Sequence, residues 1–166
     1  PGTESADPYI GAVSPSDEDI VYLRLDGADS DSVLVSADGG ETFTTIFEND
    51  GTVLGFALSP GGETLVIGGS HGVFRADTSD HQLVKVSDVR PECLTWTGSD
   101  ILACTNQLVD GFSLGISSDG GATFEPVFHK EDLCGPQACP QGSSVAATCP
   151  NRWPQTRDLL SAPICD

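Results

Sequence analysis

Apolar and polar residues alternate over many short segments of this chain, and turn-forming residues separate these segments. A period of two residues is typical of half-buried β-strands. No segment before residue 143 has the period of a helix. The pattern therefore predicts twelve short strands in three groups of four. They are Tyr9–Val13, Ile20–Leu25, Ser32–Ser36 and Thr42–Phe47; Val53–Leu58, Thr64–Gly68, Gly72–Ala76 and Leu83–Val86; and Cys93–Thr97, Ile101–Thr105, Ser113–Ser117 and Thr123–Phe128.

Two of the predicted turns carry the same motif, S-x-D-x-G-x-T-F. The first copy consists of Ser36, Asp38, Gly40, Thr42 and Phe43, and the second of Ser117, Asp119, Gly121, Thr123 and Phe124. Their aspartates are 81 residues apart. This distance is about twice the 40 to 45 residues of a four-stranded propeller blade, which predicts a further copy midway.

A degenerate copy is found at the expected place. Asp77 takes the aspartate position, while Arg75 replaces the serine and Ser79 replaces the glycine. Two Ser-Pro pairs, at residues 14–15 and 59–60, give a second mark of the same period. The chain is therefore interpreted as three repeats of one strand–turn–strand frame.

The predicted fold class is all-β, with three four-stranded antiparallel blades of an incomplete β-propeller followed by a disulfide-stapled irregular tail. A serine cap at Ser143 can open a helix as far as Cys149, and Pro150 and Pro154 are expected to limit it. The predicted divisions are a lead-in at 1–8, blades at 9–50, 51–89 and 90–130, and a Cys- and Pro-rich tail at 131–166.

The chain is strongly acidic, with 25 acidic and 7 basic residues among 166 and a formal charge of −18. A surface this negative repels phosphate backbones, so we do not expect the chain to bind nucleic acid. No apolar run reaches the length of a transmembrane helix. Methionine is absent and the first residue is Pro1. We therefore expect the chain to be a piece of a longer precursor, with the missing blades supplied by that precursor, by a cleaved fragment or by a second copy.

Six cysteines predict an exported protein, which is secreted, periplasmic or on the cell surface. Cys93 and Cys104 flank a predicted turn on adjacent strands, a placement that favours a cross-strand disulfide. The remaining four allow two further bridges whose pairing the sequence leaves open: Cys134, Cys139, Cys149 and Cys165. Their spacing does not match a closed zinc site.

One acidic loop is a candidate calcium site, with Asp26, Asp29 and Asp31 as its carboxylates. Calcium favours several oxygen ligands from a single loop. The spacing is not that of an EF-hand, and a solvated acidic turn explains the cluster better. No cofactor is expected otherwise.

The S-x-D-x-G-x-T-F motif resembles the Asp box, or BNR repeat, of β-propellers such as sialidases and sortilin-type receptors. The resemblance covers about residues 8–130 and is nearest in style to secreted bacterial BNR-repeat proteins with a Cys-containing C-terminal extension. It implies that the motif is a structural hairpin on the outer rim, between the third and fourth strands of a blade. The aspartates are thus expected to stabilise turns rather than to perform catalysis.

The predicted function is a non-catalytic, exported binding module or surface scaffold for an unidentified protein or glycan. The alternative is part of a sialidase-like or other glycoside hydrolase propeller whose remaining blades are absent. A sialidase-like site needs three clustered arginines, whereas the repeats contain only Arg24, Arg75 and Arg90, and these are interpreted as surface charges. No histidine motif for zinc and no nucleophile elbow is present in the sequence. A photosystem-type assembly factor would need a basic patch, which the charge disfavours.

Overall fold

The computed structural model describes residues 7–136 and 139–162. Twelve strands, two α-helices and one short 3-10 helix make up this part of the chain. The strands are β1 (Asp7–Val13), β2 (Val21–Asp26), β3 (Asp31–Ser36), β4 (Thr44–Asn49), β5 (Val53–Leu58), β6 (Thr64–Gly69), β7 (Gly72–Asp77), β8 (Val84–Ser87), β9 (Pro91–Thr97), β10 (Asp100–Thr105), β11 (Leu114–Ser117) and β12 (Glu125–Phe128). The helices are α1 (Gln107–Asp110), the 3-10 helix (Lys130–Asp132) and α2 (Ser144–Leu160).

The strands form three antiparallel sheets, each a meander of four strands in chain order. We call them blade 1 (β1–β4), blade 2 (β5–β8) and blade 3 (β9–β12). The inner strand β5 packs against both β1 and β9, so the blades stand side by side in sequence order. The predicted fold class, three blades of an incomplete β-propeller, is confirmed. We call the face of a blade that is directed toward the previous blade in the chain its preceding face, and the opposite face its following face.

Blade 2 lies between its two neighbours, which explains its sequence. Every residue of β6 after Thr64 is buried, so this strand is apolar on both faces instead of alternating with polar residues. Leu65 and Ile67 belong to the core shared with blade 1. Val66 belongs to the core shared with blade 3. A strand in the middle of three stacked sheets therefore has no solvent-facing side.

Glycine allows blades 2 and 3 to approach closely. A Cβ atom at Gly68 would lie 2.2 Å from Cγ of Pro91, and one at Gly55 would lie 2.8 Å from Cγ of Leu94. Both separations are shorter than any ordinary carbon contact. The side chains of the inner strand β9 thus occupy the space that larger residues on blade 2 would need.

The cysteines match the sequence expectation only in part. Cys93 and Cys104 are directly paired on β9 and β10 and form the predicted disulfide, with 5.1 Å between their Cα atoms. Cys134 is also disulfide-bonded. The expectation of three bridges is wrong for Cys139 and Cys149, which are free thiols. Cys165 lies outside the described residues.

The tail contains more regular structure than the sequence predicts. Ser143 caps α2 as expected, and its hydroxyl accepts a hydrogen bond from the Ala146 amide. The expected limit at Pro150 and Pro154 is wrong, because both lie inside a helix of 17 residues. No residue of α2 is buried, so water can bind the carbonyls that lose their partners at each proline.

Candidate binding site

The first S-x-D-x-G-x-T-F motif forms the turn between β3 and β4. Ser36 ends β3 and is almost fully buried, and its hydroxyl accepts from the amide of Gly40 at 2.8 Å. The same hydroxyl donates to Asp38 at 2.6 Å. The Asp38 carboxylate also accepts from the amide and the hydroxyl of Thr42, at 2.9 and 2.5 Å. Gly40 has a φ of 94°, which explains why glycine occupies this position.

The second motif, between β11 and β12, repeats the four hydrogen bonds described for the first. Ser117 donates to Asp119 and accepts from the Gly121 amide, both at 2.8 Å. Asp119 accepts from the amide and the hydroxyl of Thr123, at 2.9 and 2.7 Å. Phe124 then packs against the core between blades 2 and 3. The two motifs are therefore the same local structure on two blades.

Hydrogen bonding lowers the pKa of both motif carboxyls to about 2. For Asp38 the largest cause is the Ser36 hydroxyl, followed by the hydroxyl and amide of Thr42. For Asp119 the largest cause is the Thr123 amide, followed by the hydroxyls of Thr123 and Ser117. These bonds favour the charged carboxylate. Both aspartates therefore stabilise their own turns as anions.

The degenerate copy lies at the corresponding turn of blade 2, shifted by one residue. Ile101 and Leu65 both point toward the preceding blade, and their partners on the next strand are Ser117 and Ala76. This register puts Ala76 at the serine position and Thr78, rather than Asp77, at the aspartate position. The Thr78 hydroxyl donates to the carbonyl of Gly62 at 2.8 Å, which ties this turn to the neighbouring β5–β6 turn.

The arginines of the repeats have specific partners. Arg24 forms an ion pair with Asp26 at 2.8 Å and lies over the Tyr9 ring, 4.8 Å from its centroid. Arg75 reaches from blade 2 to the second motif turn, where it donates to the carbonyls of Asp119 and Gly120 at 3.1 and 3.4 Å. The interpretation of these two residues as simple surface charges is therefore wrong.

The three candidate calcium carboxylates have different surroundings. Asp26 is paired with Arg24. Asp31 is buried, and its two oxygens accept from the amides of Gly27 at 3.2 Å and Val53 at 2.8 Å, so it joins blade 1 to the start of blade 2. Asp29 is exposed. Across residues 7–136 and 139–162, no group of three or more His, Cys, Asp or Glu side chains is placed to hold a metal ion.

A groove of about 380 Å³ runs past the ends of the three inner strands. Each of these strands pairs with one neighbour only, so its other edge is unpaired within the sheets. Rings of Phe56 and Trp96 line the groove together with Pro15 and Pro60. Gly11 makes room for one wall, since a Cβ there would lie 3.2 Å from the Phe56 ring.

Among the residues that the structure describes, none with an ionisable side chain lines the groove. Ser59 and Thr95 are the polar residues among those that line it. Ser59 is engaged, because its hydroxyl accepts from the Thr64 amide at 3.0 Å. The indole nitrogen of Trp96 is buried without a hydrogen-bond partner in the described part of the chain. The sequence did not indicate this groove, because its residues come from three different blades.

A helix long and apolar enough to cross a membrane is not found in the described ranges. No protein family model matches the sequence, and no curated protein matches it either. Among solved structures, the chain is similar to the crystal structure of the β-propeller domain of Myceliophteria thermophila Cps50 (Swd1), with 14% identity and a TM-score of 0.39. The similarity covers 58% of this chain and 36% of the other, so the chain spans little more than a third of that neighbour.

Proposed function

We propose that this chain belongs to an exported Asp-box β-propeller and acts as a non-catalytic binding module. The family assignment is supported by the four hydrogen bonds that the turns around Asp38 and Asp119 have in common. The disulfide between Cys93 and Cys104 supports an oxidising compartment.

The uncharged lining of the inner-strand groove is the observation that carries the proposed function. General acid–base and nucleophilic catalysis need ionisable or activated groups in contact with the substrate. The groove instead offers aromatic and proline rings beside unpaired strand edges. Such a surface suits an extended apolar peptide, which packs its side chains on the rings and bonds through its main chain.

Tryptophan fluorescence provides a direct test, because the chain contains only Trp96 and Trp153. In a Trp153→Phe variant all tryptophan emission comes from the groove. Titration with a proline-rich, uncharged decapeptide is expected to shift this emission to saturation, while a glutamate-rich decapeptide leaves it unchanged. The same titration in Trp96→Phe, where only Trp153 on α2 emits, is the matched control and is expected to show no shift.

A second variant separates binding from fluorescence. Pro60→Arg puts a cation on the groove wall and is expected to abolish uptake of the proline-rich peptide in calorimetry, whereas Thr156→Arg on α2 leaves it intact. An equal affinity in the two variants would exclude the groove as the site.

Incubation with a panel of aryl glycosides is expected to release no aryl alcohol. Turnover above the blank would replace this proposal with the hydrolase alternative.

A further inference from the structure

Two sheet faces of the described arc have no neighbouring blade. They are the preceding face of blade 1 and the following face of blade 3. On the first of these, Ile10 and Val13 are 72% and 50% exposed. Apolar side chains of this size are usually buried, so the face has the composition of an interface.

Strand register shows which interface this face matches. On blade 2, three residues paired across β5, β6 and β7 form a row that packs against blade 1. On blade 1, the row paired in the same way across β1, β2 and β3 is open. The row on blade 2 is Phe56, Ile67 and Phe74, and the row on blade 1 is Ile10, Leu23 and Leu34. The open row therefore has the register and the chemistry of a row that already packs against a blade.

The following face of blade 3 has the complementary character. Blade 1 covers its neighbour with a row of Ala12, Tyr22 and Val35, paired across β1, β2 and β3. The row in the same register on blade 3 is Thr95, Leu102 and Ile116, and it faces away from blade 2. Neither open row contains a charge, although the chain as a whole carries −18.

We propose that these two faces bind each other between two copies of this chain. One copy carries both halves of the contact, so a twofold axis produces two identical interfaces and covers all four open faces. The result is a closed ring of six blades, within the usual range of four to eight. Closure also covers apolar sheet faces that otherwise favour aggregation.

The existing blade contacts identify a residue pair at this interface. Between blades 1 and 2, the rings of Tyr22 and Phe56 lie 5.6 Å apart. By register, Ile10 takes the place of Phe56 and Leu102 takes the place of Tyr22. In the ring, Ile10 of one copy therefore packs against Leu102 of the second copy.

Sedimentation velocity and light scattering of the full 166-residue chain test the proposal. The expected mass is twice the 17.3 kDa of one chain. Because both copies are acidic, raising the salt concentration is expected to increase the dimer fraction. Ile10→Lys is expected to give a monomer. The control Leu108→Lys, at a leucine that is 94% exposed on α1, is expected to remain a dimer.

Charge complementation then tests the head-to-tail arrangement. Leu102→Glu alone is expected to be monomeric, and mixing it with Ile10→Lys is expected to restore the dimer. In the mixed ring one interface pairs lysine with glutamate and the other is unchanged. If Leu102→Glu fails to fold by circular dichroism, the exposed Thr95→Glu takes its place. A wild-type monomer would assign the two open faces to blades of another chain or segment. A larger open polymer would exclude ring closure. A dimer in Ile10→Lys would exclude the preceding face of blade 1 as part of the interface. Each of these results overturns the proposal.

Discussion

The phenol oxygen of Tyr22 lies 3.0 Å from Nε2 of His81, and this hydrogen bond joins the buried side of blade 1 to the β7–β8 turn of blade 2. Tyr22 is 1% exposed, and His81 has a φ of 53°, in the left-handed region. Burial lowers the pKa of His81 from its usual 6.5, and the nearby Asp80 partly opposes this shift. The folded chain therefore favours the neutral imidazole.

This relationship predicts a loss of stability as the pH falls below 6.5. In that range the unfolded chain takes up a proton that the folded chain resists, so the free energy of unfolding decreases. His81→Asn keeps a residue that tolerates the left-handed conformation but removes the titrating group. We expect a variant that is less stable at neutral pH by about 1 kcal/mol, with a smaller fall toward acid pH.

Thermal midpoints measured from pH of about 7.5 down to about 5 would show this difference in slope. His71→Asn is the control, because His71 is exposed and its ring pairs with the exposed Asp50. An unchanged slope in His81→Asn, or an equal change in His71→Asn, would contradict the assignment.

The motif aspartates predict a second acid transition, at lower pH. Their pKa is about 2 in the folded chain, against 3.8 ordinarily, so their stabilisation is complete above 3.8 and is lost as the pH falls toward 2. Asp38→Asn and Asp119→Asn are each expected to lower the thermal midpoint at neutral pH, because an amide nitrogen cannot accept the Thr hydrogen bonds. The gap to wild type should close near pH 2.

The matched control for this experiment is Asp29→Asn, which changes an exposed carboxylate to the same amide. It should have a midpoint close to that of wild type throughout. A gap that persists unchanged at pH 2 would show that the two motif substitutions act through something other than the anionic carboxylate.

Local patterns predicted the strands well because each blade is formed by neighbouring segments of the chain. Alternation and turn residues placed all twelve strands, and the directly opposed pair Cys93 and Cys104 followed from the same frame. The motif at Ser36 and Ser117 was visible because its hydrogen bonds span only a few residues.

Features that depend on contacts between blades were not predictable from local pattern. Arg75 looked like a surface charge because its acceptors are 44 and 45 residues away in sequence. Phe56 and Trp96 line one groove only because β5 and β9 are neighbours in space. The shift of the degenerate motif from Asp77 to Thr78 also needed the strand register. In the tail, the sequence predicted that Pro150 would end the helix. The helix continues because it is exposed, so water can bind the carbonyls that lose their partners, and this exposure is not visible in the local pattern.

The thiol pattern predicts a specific result in mass spectrometry. Alkylation of the denatured but unreduced chain should label Cys139 and Cys149, while Cys93 and Cys104 should appear as one cross-linked pair of peptides. Replacing Cys93 and Cys104 by serine should reduce the free energy of unfolding by about 2–3 kcal/mol, the loop-entropy value for a bridge of this span. The double replacement of Cys139 and Cys149 by serine is the control and should have a much smaller effect. If all six cysteines are protected from alkylation, the three disulfides expected from the sequence are present and the two free thiols are not.

Arg75 predicts a measurable coupling between blades 2 and 3. Its guanidinium donates to two carbonyls of the β11–β12 turn, so Arg75→Ala removes the only donor these carbonyls receive from blade 2 in the described residues. We expect a loss of about 1 kcal/mol in the free energy of unfolding. Arg75→Lys should recover only part of it, because a single ammonium does not reproduce the guanidinium geometry.

Urea unfolding of both variants, beside Arg152→Ala on the exposed α2 helix, measures this contribution. Because the contact joins the turn around Asp119 to blade 2, Arg75→Ala and Asp119→Asn should also be non-additive when combined. Their sum should exceed the loss in the double variant, since each change loosens the same turn. Strict additivity, or a loss in Arg152→Ala as large as in Arg75→Ala, would mean that Arg75 contributes no specific contact between the blades.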